Sequence, residues 1–232
     1  MKDDYLNYIC DNIESTNIIT TPWDHIHLKK FLPNDLFNTI NNEITEYYIS
    51  EVRENKRISK RIYNYEYRPM IGETPDVKIL APGLKQYYNI LNSVEIKNIL
   101  TEKFNITKKY KYGLNELFGD CDIITPGYEW PIHTDISRKL ITIVHYFAED
   151  NDDTEIGTRV YPPTEQIDDL DYEKDCVQVI PYIKNSAIIF SPCKEVGKCT
   201  NHAYRHKSTT TKYRKALQTF FVKRTKGKNY TL

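Results

Sequence analysis

Two hydrophobic rhythms divide the chain. Over residues 1–112 apolar positions recur at helical spacing. After a short strand-like His25-Ile26-His27-Leu28, the residues Leu36, Phe37, Ile40 and Ile44 follow Pro33-Asn34-Asp35. They form one face of a 3.6-residue helix, with Asn34 or Asp35 as its N-cap. Ile79 to Phe104 behaves likewise, opening at the turn Pro82-Gly83 and carrying Leu84, Tyr87, Tyr88, Leu91, Ile99 and Leu100 as apolar stripes. Between the two, Arg57 to Arg68 alternates Ile58, Ile62, Tyr63, Tyr65 and Tyr67 with basic and polar residues, which suits a strand or an ordered loop. From Leu114 the rhythm changes to short runs of β-branched and aromatic residues: 122–125, 140–147, 158–161, 176–180, 186–190 and 216–222. Each is bounded by Pro, Gly, Asn or Asp, and this many strands at such spacing predict a sandwich or barrel.

Composition narrows the class. A length of 232 residues suits a single domain, and 19 Tyr with 12% aromatic residues exclude a disordered chain. Lys+Arg and Asp+Glu balance at 32 each. Bulk nucleic-acid binding is therefore not expected, since that affinity comes from excess cations neutralising phosphates. No apolar run approaches the roughly 18 residues of a membrane span, and Met1-Lys2-Asp3-Asp4 opens no signal peptide. The five Cys then read as free thiols in a reducing, cytoplasmic setting. Two acidic runs, 149–153 and 168–171, read as solvated loops. The end of the chain after His202 carries nine Lys/Arg and no carboxylate, and reads as a solvated basic edge. Oligomeric state is not legible.

The densest chemistry lies in Pro131-Ile132-His133-Thr134-Asp135, just after the turn Pro126-Gly127. Alternate side chains of a strand share a face, so His133 and Asp135 can approach one ion. Alone, the pair also fits a histidine hydrogen-bonded to a nearby carboxylate. A second His from a distant strand would complete a 2-His-1-carboxylate face, the ligand set of non-haem Fe(II) oxygenases. Asn201-His202-Ala203-Tyr204 supplies one, and Arg214 follows twelve residues later at the head of Lys215-Ala216-Leu217-Gln218-Thr219-Phe220-Phe221-Val222.

This ordered set resembles the 2-oxoglutarate- and Fe(II)-dependent oxygenases, nearest to their prolyl-hydroxylase-like branch, over about residues 120–222. The resemblance implies His133, Asp135 and His202 as iron ligands and Arg214 as the anchor of the distal carboxylate of 2-oxoglutarate. It places Tyr146 where the family often sets a hydroxyl on that carboxylate. Gly157-Thr158 and Phe190-Ser191-Pro192 match two further family features. It implies an α+β fold, a double-stranded β-helix (jelly-roll, cupin-like) core over 113–225 with an N-terminal helical layer over 1–112, in one oxygenase domain spanning 1–232. It also implies Fe(II), 2-oxoglutarate as co-substrate and O2, with ascorbate as an additional reductant. The reaction would be hydroxylation of a C–H bond with decarboxylation of 2-oxoglutarate to succinate. The substrate is not read from any motif; a protein side chain such as prolyl comes first and a small metabolite second. The chemistry suits the residues: three ligands leave three adjacent metal positions, two for 2-oxoglutarate and one for O2. A planar, permanently charged Arg grips a buried carboxylate better than Lys. Three departures stand out: a long His202–Arg214 gap, Phe147-Ala148-Glu149 in place of Leu-Asn, and an acidic insertion over 163–175.

Other readings compete. His206 is a rival third ligand. Cys193, Cys199, His202 and His206 in a Cys-x5-Cys-x2-His-x3-His spacing would suit zinc in a non-enzymatic binding or structural protein. His25 and His27 read as an edge strand with polar faces, and His145 should face away from Tyr146. Trp130 is either a wall of the substrate mouth or a packed aromatic. Tyr63, Tyr65, Tyr67 and Arg68, with Arg57 and Arg61 nearby, could form a lip over the substrate.

Overall fold

The computed structural model describes residues 2–48, 57–63, 66–68, 81–106, 114, 116–193 and 197–223. Four helices precede most of the strands: α1 (Lys2–Ser15), α2 (Asn34–Tyr48), α3 (Pro82–Leu91) and α4 (Val94–Lys103). α2 begins at Asn34, so both cap candidates lie inside its first turn and the Phe37 N–H bonds to the Pro33 carbonyl at 2.9 Å. The expected stripe over 79–104 is split instead. Pro82 opens α3 at its first turn, and Ser93 starts α4 by accepting the Ile96 N–H at 3.3 Å. A cap in mid-stripe outweighs continuous apolar spacing.

The strands are β1 (His25–Leu28), β2 (Arg57–Tyr63), β3 (Glu66–Arg68), β4 (Glu116–Ile124), β5 (Glu129–His133), β6 (Lys139–Tyr146), β7 (Thr158–Val160), β8 (Gln178–Ile180), β9 (Ala187–Phe190), β10 (His202–Arg205) and β11 (Arg214–Val222). They form a seven-stranded sheet ordered β1-β9-β6-β11-β4-β2-β3 and a four-stranded sheet ordered β5-β10-β7-β8. Every named pairing is antiparallel. This is the double-stranded β-helix with a helical layer. The N-terminal half is less purely helical than its periodicity suggests, because β1, β2 and β3 extend the larger sheet at both edges.

Alternation along the large sheet separates two cores. Ile26, Leu28, Ile141, Ile143, Ala187, Ile189, Leu217 and Phe221 face the helices and pack with Ile9, Ile13, Leu36, Phe37, Ile40, Ile44, Leu84, Tyr87 and Leu100. Their neighbours Val144, Tyr146, Ile188, Phe190 and Ala216 face the small sheet and meet Val160 and Ile180 across a lumen. Gly119 lets the helical layer approach, since a Cβ there would lie 1.7 Å from the Tyr88 hydroxyl.

His145 faces away from Tyr146, as alternation requires. It is fully buried among Phe31, Phe37, Tyr87 and Phe147, with Nε2 3.2 Å from Asn185 Oδ1, and burial lowers its pKa to about 3. β1 is an edge strand, but its histidines do not form a polar face. Its register with β9 sets His25 opposite Phe190 and His27 opposite Ile188, so both rings lie on the lumen side and His25 is fully buried.

The acidic runs are solvated, as expected, with Asp168, Asp169 and Asp171 exposed, and carboxylates at or near them still find basic partners. Glu149 accepts from the buried Lys215 Nζ at 2.7 Å, and Glu173 of the 163–175 insertion pairs with Arg159, Arg205 and Lys207. Tyr172 lies under the Arg205 guanidinium at 3.8 Å. Among the described residues no helix is long and apolar enough to cross a membrane.

Candidate metal and dicarboxylate site

β5 and β10 pair so that His133 and His202 sit directly opposite one another, with ring centroids 4.3 Å apart. β5 is an edge strand, which is why it tolerates Pro131. Asp135, two residues past the strand end, turns back over the pair. One ligand atom from each of His133, Asp135 and His202 lies within 4.8 Å of the other two. It is the one such cluster of three or more His, Cys, Asp or Glu among the described residues.

The surroundings fix each ligand's chemical form. His133 Nδ1 is 3.0 Å from the Pro131 carbonyl, and His202 Nδ1 is 2.9 Å from the Thr200 carbonyl. A carbonyl only accepts, so each Nδ1 carries the proton and each Nε2 keeps a lone pair for a metal. Burial, with the neighbouring imidazole, lowers the His133 pKa to about 3, and burial lowers that of His202. Both rings are therefore neutral at physiological pH. Burial opposes ionisation of Asp135, but the Lys139 charge and the hydrogen bonds from Lys139 and Thr142 help outweigh it, and the carboxyl is held at about 2. Lys139 Nζ donates to Asp135 Oδ1 at 2.5 Å and Thr142 Oγ1 donates to Oδ2 at 2.7 Å. Two neutral imidazoles and one carboxylate on one face fit Fe(II) and leave positions open. Trp130 meets His133 edge-on, and its Nε1–H donates at 3.3 Å to His133 Nε2, the lone pair that a bound metal would take over.

Deeper in the lumen, Arg214 heads β11 with no exposed surface. Its Nε donates to the Ile156 carbonyl at 2.7 Å, but Nη1 and Nη2 have no hydrogen-bond partner. The guanidinium is boxed by the rings of Tyr204 (4.5 Å), Tyr146 (5.4 Å) and Tyr182 (5.9 Å). A buried cation with two idle donors in a planar fork matches a carboxylate bound bidentately. Tyr146 lies beside Arg214, with the guanidinium 5.4 Å from its ring centre. Its hydroxyl is already engaged, donating to Thr158 Oγ1 at 2.5 Å and accepting the Thr158 N–H at 3.1 Å. The turn before Thr158 needs Gly157, because a Cβ there would lie 1.8 Å from the Ile180 carbonyl oxygen.

The rival zinc tetrad does not assemble. His202 faces His133, Cys199 Sγ lies 3.9 Å from Glu165 Oε1, and Cys193 lines a separate cleft beside Trp23 and Lys198. His206 does not join the triad; burial of the ring, with the nearby Arg214 charge, lowers its pKa to about 4. Of the proposed lip, Tyr65 lies outside the described residues, as do the side chains of Arg57, Arg61, Tyr63, Tyr67 and Arg68. The backbone register sets Arg61 opposite Asp120 and Tyr63 opposite Phe118. Sequence reasoning missed Lys139, Thr142, Tyr182 and Tyr204. Only Lys139 and Thr142 carried a signal, as polar residues four and seven positions after Asp135.

No protein-family model matches the sequence, and no curated protein matches it. Among solved structures the chain is similar to a prolyl-4-hydroxylase from Pseudomonas putida, with a TM-score of 0.56 and 14% identity over 95% of this chain and 100% of that one. A prolyl 4-hydroxylase structure from Phytophthora capsici aligns with a TM-score of 0.51 and 10% identity, over 95% of this chain and 64% of the other. At these identities the likeness is one of fold, and it is the fold that the ordered motifs implied.

Proposed function

We propose that this chain is an Fe(II)- and 2-oxoglutarate-dependent dioxygenase that hydroxylates a C–H bond of its substrate, acting as one oxygenase domain. The observation that carries the reading is the pairing of two incomplete sites across β10. His202 offers a metal lone pair toward His133 and Asp135, and Tyr204, two residues on, covers the idle guanidinium of Arg214. A dicarboxylate with a chelating keto-acid end would complete both. A protein side chain such as prolyl is the first choice of substrate, in keeping with the names of the two fold neighbours, and a small metabolite is the second. Five free cysteines and a need for ferrous iron suit a reducing, cytoplasmic setting.

In this reading His133, Asp135 and His202 would hold the metal through Nε2, a carboxylate oxygen and Nε2. Pro131 and Thr200 fix the imidazole tautomers, Thr142 orients the carboxylate, and Lys139 keeps it ionised until a metal takes over. Arg214 would grip the distal carboxylate, and the rings of Tyr146, Tyr182 and Tyr204 keep water from competing for it. When bound, iron and 2-oxoglutarate supply the oxidising power: with O2, 2-oxoglutarate becomes succinate and CO2, and the second oxygen atom enters the substrate C–H bond.

Anaerobic titration of the protein with Fe(II) and then 2-oxoglutarate tests this. A visible charge-transfer band is expected in the wild type and in His206→Ala, and not in His133→Ala or His202→Ala. No band in the wild type would overturn the reading. Succinate release with candidate peptides and metabolites then ranks substrates.

A further inference from the structure

His206 is fully buried, and neither of its ring nitrogens has a hydrogen-bond partner. The metal triad does not use it. A buried neutral imidazole holds one donor and one acceptor, and leaving each unsatisfied costs about 1–3 kcal/mol. Such a group calls for a partner in the working state.

Its position says which. The His206 N–H bonds to the Tyr128 carbonyl at 2.9 Å, and the Gly127 N–H bonds to the His206 carbonyl at 2.8 Å. Backbone bonding between β10 and the segment before β5 therefore reaches one residue past the strand end, where Gly127 and Tyr128 both bond to His206. Within β10, His202 and Tyr204 share one face. The first meets His133 and the second covers the Arg214 guanidinium at 4.5 Å. His206 follows two residues on, fully buried and close enough to Arg214 for the guanidinium charge to disfavour its protonation. Asp153 also acts on His206 from the segment after β6, but its Oδ1 is engaged by the Glu155 N–H at 2.9 Å. Idle donors on Arg214 and an idle imidazole at one end of a lumen call for the same thing, an anion with several acceptor sites. A carboxylate has about four lone-pair sites. An arginine fork uses two and leaves others for a third donor.

We infer that His206 is a second co-substrate-positioning residue, donating a ring N–H to the distal carboxylate of the dicarboxylate that Arg214 holds. This rests on the proposed dioxygenase reading and adds to it a residue that the ordered motifs do not assign. His206 then contributes to co-substrate affinity without touching the metal.

The test uses Mn(II)-loaded protein, which binds without turning over, and calorimetry with two ligands. 2-Oxoglutarate reaches the deep end; oxalate fills the metal-side positions and has no distal carboxylate. His206→Phe should weaken 2-oxoglutarate about 10-fold, the worth of one hydrogen bond to a charged group. It should leave oxalate unchanged, and His206→Gln, which keeps a donor, should recover most of the loss. In turnover the KM for 2-oxoglutarate should rise with kcat nearly constant. Unchanged 2-oxoglutarate affinity in His206→Phe, or an equal loss for oxalate, would overturn the inference. Wild-type protein that binds oxalate and not 2-oxoglutarate, or neither, overturns the underlying reading, and the inference falls with it.

Discussion

Replacing Arg214 with Met separates the cost of burying a cation from its use. In the ligand-free protein the guanidinium makes one hydrogen bond, to the Ile156 carbonyl, and sits among three tyrosine rings with two nitrogens idle. Its desolvation costs several kcal/mol. The charged hydrogen bond returns about 1.5–3 kcal/mol and the rings about 0.5–2 kcal/mol. These nearly cancel, and Met fills a similar length of lumen. Arg214→Met should therefore change stability by no more than about 2 kcal/mol, or within about 8 °C in Tm for a chain of this size. Dicarboxylate binding should behave otherwise. Losing two charge-assisted bonds of about 1.5 kcal/mol or more each weakens 2-oxoglutarate by at least about 100-fold. Arg214→Lys keeps the charge without the fork and should fall between. Thermal melts of the ligand-free protein and calorimetry on the Mn(II)-loaded protein read the two quantities. A Tm lowered by more than about 15 °C, or a 2-oxoglutarate Kd within about threefold of wild type, would refute the reasoning.

Three further outcomes follow from the same structure. Gly119→Ala should cost about 3 kcal/mol or more in urea unfolding, because its Cβ would collide with Tyr88 at 1.7 Å; a loss under about 1 kcal/mol would contradict the packing. Lys139→Met should tighten Mn(II) binding by about 10-fold, since Lys139 Nζ holds Asp135 Oδ1 at 2.5 Å and repels an incoming cation; weaker binding would show that the lysine chiefly organises the carboxylate. For pH, His145 has a folded pKa near 3 against an ordinary 6.5. Its contribution is fully present above about pH 6.5 and is lost as pH falls, because only the unfolded chain takes up the proton. His145→Phe should flatten the acid limb by about 1.4 kcal/mol per pH unit in urea midpoints between pH 4 and 6, and an unchanged slope would disprove it.

Local residues made the strand-rich half legible. Runs such as Leu140–Phe147 and Ala216–Val222 have few conformations open to them beyond a buried strand, and β6 and β11 stand within two residues of those bounds. The triad was legible because His133 and Asp135 lie close in sequence and His202 sits in a recognisable order with Arg214. What sequence could not supply was decided by partners far along the chain. α1 escaped notice because its apolar residues are interleaved with charges, and only docking of Ile9 and Ile13 onto the helical core reveals its face. Period two says that His25 and His27 share a side; the register with β9 says that the side is the lumen. The 163–175 segment reads as acidic and soluble until Arg159 and Arg205 appear opposite Glu173. His206 looked like a spare ligand because its burial near Arg214, past the end of β10, depends on backbone bonds to the distant Gly127 and Tyr128.

The separation of the two apolar clusters by a single sheet has an evolutionary consequence. The larger apolar cluster lies on the side of β6, β9 and β11 that faces the helices, and the candidate site lies on the other. Successive residues of one strand are thus under different selection. Exchanges at Ile188, Val144 or Gln218 can reshape what the lumen admits while Ile189, Ile143 and Leu217 keep the protein folded. Lineages that share almost no sequence can keep this architecture while their substrates diverge, and randomisation confined to alternate positions of three strands should return folded proteins far more often than randomisation of contiguous segments.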